Sequence, residues 1–301
     1  MRTGQESAGF QGREPLVIHA DAGQGELFRS YLRSRTAFWA LFVGVSAAFL
    51  YGAWQRDPLI LAAGPAAVVL GVTGVAWFMA DRAAARRFYS GFARNVGLGY
   101  ASPFALLPLT PLLSAGSRQR AEHWMYGQLP GDLPGGVGHF VWERVERDSD
   151  GDEQVRERNR FTVCVADLEP SMALFKGVFL RPRRGFVASH SDWLKDTRTH
   201  ELEVESAAFT ERYELLIADD QDEVILRRLL SPTLVSWLAN HPLTPGLELK
   251  AGALVVFVPY AIEDAGNLTY LIDATRHVAS RVLSEVEEER VRHSRTRSPA
   301  A

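Results

Sequence analysis

The chain has 301 residues, with 33 Lys and Arg against 36 Asp and Glu, for a net charge of -3. That balance argues against a general nucleic-acid binder, and 47% hydrophobic with 23% charged residues argues against disorder over most of the length. The one cysteine, Cys164, excludes an intramolecular disulfide and any multi-cysteine metal centre, and it fits a reducing compartment.

Residues 1 to 24 are polar and Gly-rich and read as a tail, and Glu26 to Arg35 as a short lead-in helix; together they make an N-terminal segment over 1–35. Two hydrophobic segments follow. Thr36 to Gln55 and Pro58 to Ala80 carry no charge and are bounded by Arg35, Arg56, Asp57 and Asp81. At about 1.5 Å per residue each can cross a hydrocarbon core about 30 Å thick. Their Leu, Ile, Val and Phe residues favour insertion by about 2–4 and 3–5 kcal/mol respectively. Trp39, Tyr51, Trp54 and Trp77 lie near the segment ends, where aromatic rings anchor at headgroup level. The Gln55-Arg56-Asp57-Pro58 connection allows only a tight turn, so 36–80 is expected to be a transmembrane helical hairpin. Arg29, Arg33, Arg35, Arg82, Arg86, Arg87 and Arg94 flank it, against Arg56 in the turn. The positive-inside bias therefore orients both termini to the cytoplasm, as expected of a multi-pass protein of the cell (inner) membrane.

A basic and proline-rich juxtamembrane linker covers 81–116. Within it Gly97 to Leu113 is apolar and broken by Pro103, Pro108 and Pro111. It suits either the membrane interface or packing against the domain that follows, but not a regular span. Strands are expected over Glu122 to Gln128, His139 to Val145 and Phe161 to Ala166, the last two joined by a charged loop from Glu146 to Arg160. Phe175 to Arg181 and Phe186 to Ser189 are weaker strand candidates, and Glu211 to Ala218 alternates as a strand. Asp222 to Leu230 and Pro232 to Asn240 read as short helices. Leu247 to Leu249 and Leu254 to Tyr260 form a hairpin. Leu268 to Glu289 carries a helical apolar stripe, and 291–301 reads as a disordered tail. Strands followed by segregated helices give an α+β soluble domain over 117–290 on a mainly antiparallel sheet.

Chemical motifs are sparse. Asp148-Ser149-Asp150-Gly151-Asp152 fails as an EF-hand, because the sixth and twelfth positions hold Glu153 and Asn159. Gly131, Gly135, Gly136 and Gly138 precede a strand rather than a helix, so they read as a flexible turn and not a phosphate cradle. His200-Glu201 lacks the second histidine of a zinc-protease helix. Cys164 reads as a small buried hydrophobe. Arg181, Arg183 and Arg184 read as a solvated basic turn, with anionic lipid headgroups as the functional alternative. No catalytic, metal or cofactor-binding residue is assigned, and no cofactor is expected.

Phe209-x-x-x-Tyr213, the strand and acidic turn after it, the helix leading to Leu229-Leu230-Ser231-Pro232, the hairpin Leu247 to Tyr260 and the terminal helix come in a recognisable order. In this the chain resembles an uncharacterised bacterial family of membrane-anchored proteins, across about two thirds of its length. The resemblance implies two adjacent spans followed by one cytoplasmic α+β domain of unknown function. Its motifs are packing motifs, so no catalytic residue carries over. The expectation is a non-catalytic, membrane-tethered interaction or scaffold module, its partners the lipid bilayer and a cytoplasmic protein, not nucleic acid. The alternative is an enzyme or sensor acting on a lipid or membrane-near small molecule, using groups such as His139, His190 or Asp192 with paired carboxylates. Transport through an oligomeric pore is disfavoured, since neither segment holds an ionisable residue.

Overall fold

The computed structural model describes residues 35–55, 58–148, 151–185, 192–194 and 197–296. The N-terminal tail and most of the lead-in helix, Arg56-Asp57, the strand candidate Phe186 to Ser189, and His190 lie outside them. The chain divides into two compact units, one formed by 1–91 with 263–265 and the other by 92–262 with 266–301.

The first unit contains helix α1 (Arg35–Gln55) and most of helix α2 (Pro58–Val96). Proline opens α2 because its fixed φ suits the first helical turn and its missing N–H has no partner there in any case. A Cβ at Gly44 would come within 2.7 Å of Val68 Cγ1, and one at Gly64 within 3.2 Å of Ala48 Cβ. The helices thus approach closely at Gly44 and Gly64, and the pairs Gly44–Val68 and Ala48–Gly64 step in opposite directions, so they pack antiparallel. Phe42, Phe49, Leu50, Leu70, Val75 and Phe78 stand more than half exposed. Among the described residues one stretch, Ala63–Val96, is long and apolar enough to cross a membrane, with little of it buried. Helix α1 supplies a shorter apolar stretch, Ala40–Trp54. Two spans were expected; one is long and apolar enough.

The second unit is α+β. Its nine-stranded sheet is antiparallel throughout, in the order β1-β2-β3-β4-β9-β8-β5-β7-β6. The strands are β1 (Gly99–Ala101), β2 (Arg118–Leu129), β3 (Leu133–Arg147), β4 (Glu153–Asp167), β5 (Val178–Pro182), β6 (Thr199–Glu201), β7 (Tyr213–Ala218), β8 (Gly246–Lys250) and β9 (Ala253–Val258). Helices α3 (Ala207–Arg212), α4 (Glu223–Leu229), α5 (Pro232–Asn240) and α6 (Ala265–Thr296) complete the six α-helices among the described residues. Asp222 and Ser231 cap α4 and α5 through side-chain oxygens that accept the first free N–H groups.

Both faces of the sheet are covered, which is why few strands alternate cleanly between apolar and polar. On one face Phe140, Trp142, Phe161, Val163, Val255 and Phe257 pack with Leu112, Leu113 and Trp193. The segment 102–115 therefore acts as a strap over this face, held also by the bridge between Phe104 and Ala121. On the other face Cys164 lies against Thr275 of α6. The α6 stripe is buried at Leu268, Leu271, Val278, Val282 and Val286, each worth about 1.5–3 kcal/mol relative to exposure.

Three sequence expectations change here. The hairpin between β3 and β4 is strand almost to its tip, because Glu and Arg pair across it: Arg144 with Glu157 at 3.3 Å and Arg156 with Glu146 at 3.3 Å. Charge marked a loop in the sequence, whereas opposite charges on facing strands support one another. The glycine stretch is also not one turn. Gly131 (φ +90°) is in the β2–β3 turn, while Gly135, Gly136 and Gly138 lie within β3, where a Cβ would meet neighbouring backbone. The terminal helix also runs seven residues beyond its expected end at Glu289, to Thr296.

Candidate functional site

The least expected group is Glu248. It sits on β8 opposite Val255, a member of the strap-side core, so its side chain shares that apolar face. It is buried, and both carboxylate oxygens accept: Leu112 N–H donates at 2.9 Å and Trp193 Nε1–H at 3.0 Å. The Thr110 hydroxyl also lies beside the carboxyl and favours its charge, although it makes no well-formed hydrogen bond. Burial outweighs Thr110, Leu112, Trp193 and Lys250 and pushes the Glu248 pKa up to about 7. This carboxyl fastens the strap to the sheet. The sequence hid it, because Leu-Glu-Leu reads as an apolar pair with an outward-facing acid between.

His139 lies on the α6 face, opposite Thr162 across the β3–β4 ladder. The Thr162 hydroxyl donates to Tyr260 O at 2.7 Å and accepts from Ile262 N–H at 2.9 Å. Burial lowers the His139 pKa to about 3, helped by His123 and Arg160 and opposed by a hydrogen bond with the Ile262 backbone and by Glu122. His123 occupies a bulge in β2 at φ 52°, and its Nδ1 shares a 2.7 Å hydrogen bond with Tyr100 OH. Asp192 opens the turn that carries Trp193 over the opposite face, so the structure does not bring it to His139.

Cys164 is buried, and that burial raises its thiol pKa to about 12, so the nucleophilic thiolate is suppressed. A maleimide is expected to leave the folded chain unlabelled and to react once denaturant is added; rapid labelling of the folded chain would contradict this burial. The arginine cluster is likewise engaged. Arg181 pairs with Glu214, Arg183 with Glu201, and Arg184 with Glu211 at 2.9 Å. Between α4 and α6, Arg228 reaches Glu285 at 3.1 Å and Glu289 at 2.7 Å, while Arg281 also reaches Glu285, at 3.1 Å. These cations neutralise a fully buried carboxylate and join two helices.

Two clefts flank the segment after β6. The larger, about 500 Å³, is lined by Leu202, Val204 and Val235 with Glu203, Glu205 and Arg227. Ser206 and Ser236 also line it, and no histidine lines it among the described residues. The second, about 350 Å³, lies between Arg183, Glu201, Phe209 and Tyr213. No group of three or more His, Cys, Asp or Glu that could hold a metal occurs among the described residues.

No family model matches the chain, and no curated protein matches it. A solved structure that does match is the mycobacterial trehalose monomycolate transport factor A, TtfA. The identity is 12% and the TM-score 0.44, over 66% of this chain and 94% of that one. At that identity and score the likeness carries no functional argument.

Proposed function

We propose that the chain is a non-catalytic, membrane-tethered module whose sheet domain holds a cytoplasmic protein at the inner face of the cell membrane. The observation that carries this reading is helix α2, an apolar rod with exposed Leu70, Val75, Trp77 and Phe78 that leads into Arg82, Arg86 and Arg87 and then into the sheet domain. Hydrocarbon facing Leu70 and Val75, with aromatic and basic residues at the boundary, is the arrangement that stabilises a span. The Arg82 guanidinium lies 4.3 Å from the centre of the Phe78 ring, as suits the headgroup level.

In this reading α1 is the second arm of a transmembrane hairpin. Its contacts at Gly44 and Ala48 support that, because small residues let membrane helices approach closely. The basic residues around the hairpin then put both termini in the cytoplasm. The non-catalytic part of the proposal is supported by the use of Glu248, His139 and Cys164 as interior groups.

The test is purification of the intact protein from its own membranes in mild detergent, with mass spectrometry of what stays bound. The expected result is a stoichiometric protein that shifts to the soluble fraction when the chain is deleted. A partner whose location ignores the deletion would overturn the tether. A stoichiometric lipid or metabolite without a protein would favour an enzyme or sensor instead.

A further inference from the structure

We infer that the strap tip Leu107-Pro108-Leu109 is a second, monotopic membrane contact, inserting its two leucines into the lipid surface; this rests on the membrane-tethered reading above. Leu107 is 70% exposed and Leu109 40%, on a sheet domain that buries most of its large apolar side chains. From Tyr100 to Ser117 the sequence carries no charge. Exposed leucines gain free energy on entering hydrocarbon, and a segment without charge brings no ionic desolvation cost with them.

Part of the backbone of the tip is already hydrogen-bonded. Pro108 has no N–H, and Leu109 N–H donates to Leu107 O at 2.9 Å. The Pro108 carbonyl accepts from Ser114 Oγ at 3.0 Å. These three backbone groups, the Leu109 N–H and the carbonyls of Leu107 and Pro108, already have partners, which lowers the cost of moving the tip from water to an apolar medium. The base of the tip is fixed, by Glu248 beneath Leu112 and by the Phe104–Ala121 bridge, so the leucines are held outward without further ordering. Two leucines would recruit a free domain only weakly. For a domain already tethered to the bilayer, the high effective concentration of lipid makes the same contact sufficient.

The test uses the full chain in phosphatidylcholine–phosphatidylglycerol vesicles, with an environment-sensitive NBD label on a new cysteine and buried Cys164 left in place. Labels go at Leu107→Cys, at Val75→Cys in α2, and at Val155→Cys in β4 as an exposed control. At position 107 the expected result is blue-shifted emission and loss of intensity when the lipids carry bromine near the headgroup, with neither change at 155. Quenching at 75 but not at 107 overturns this inference and leaves the anchor standing. Quenching at neither 75 nor 107 overturns the anchor itself. A blue shift at 107 without bromine quenching also overturns the inference, since it reports a protein surface in place of lipid.

Discussion

In denaturant titrations of the detergent-solubilised protein between about pH 4.5 and 6.5, Glu248→Gln and His139→Gln are expected to change the pH slope of stability in opposite directions, each by about 1.4 kcal/mol per pH unit relative to the parent. Glu248 has a folded pKa raised to about 7. Across this window the folded chain holds its proton and the unfolded chain has lost it, so its contribution falls as pH rises and accumulates to about 3 kcal/mol. His139 has a folded pKa lowered to about 3. There the unfolded chain takes up a proton that the folded chain refuses, so its contribution grows as pH rises. Removing Glu248 therefore makes the slope more positive, and removing His139 makes it more negative. The lowered pKa values of His241 and His277 act alike in all three proteins. Equal slopes in parent and variants would show that neither side chain is held in the stated protonation state.

Gly135→Ala is expected to lower stability by at least about 3 kcal/mol, at the upper end of what overpacking costs. The added Cβ would lie 2.1 Å from Val165 O and 3.1 Å from Ala166 Cα, both on the adjacent strand. Backbone in a paired ladder cannot swing aside as a flexible side chain does, so the β3–β4 pair must separate locally. Gly91→Ala is the control, because a Cβ there meets nothing within 4 Å and alanine favours the α2 helix by about 1 kcal/mol. Comparable unfolding midpoints for Gly135→Ala and the parent would refute the close approach.

Much of the α+β fold is legible in the sequence where periodicity and capping agree. Ser231-Pro232 fixes the start of α5, the apolar stripe from Leu268 fixes the face of α6, and the alternation of Tyr213, Leu215 and Ile217 fixes β7. Misreadings arise where one residue type has two physical uses. Glycine at 135 and 136 allows close strand approach, yet looks like a turn in a one-dimensional pattern. Charge from Glu146 to Arg160 stabilises a ladder by pairing across strands, yet locally resembles a loop. Glu248 could not be found from its neighbours, because the strap that buries it lies 136 residues earlier in the chain. The proline-rich segment left two uses open; in the structure Leu112 and Leu113 enter the core while Leu107 faces outward.

The strand order has a consequence for how the protein is made. β2, β3 and β4 are consecutive hairpins that can pair as soon as they are synthesised, but the next neighbour of β4 is β9. That seam joins Thr162–Asp167 to Ala253–Val258, across most of the domain. At about 5–20 residues per second, ribosomes leave the β4 edge waiting about 5–18 s for its partner. During that interval a half-built sheet exposes both an apolar face and an unpaired edge, while the hydrophobic helices α1 and α2 have already been made. On the membrane-tethered reading, early capture of those helices by the bilayer would hold each nascent chain apart from its neighbours in the soluble phase, during the period when its open edge is most prone to wrong pairing.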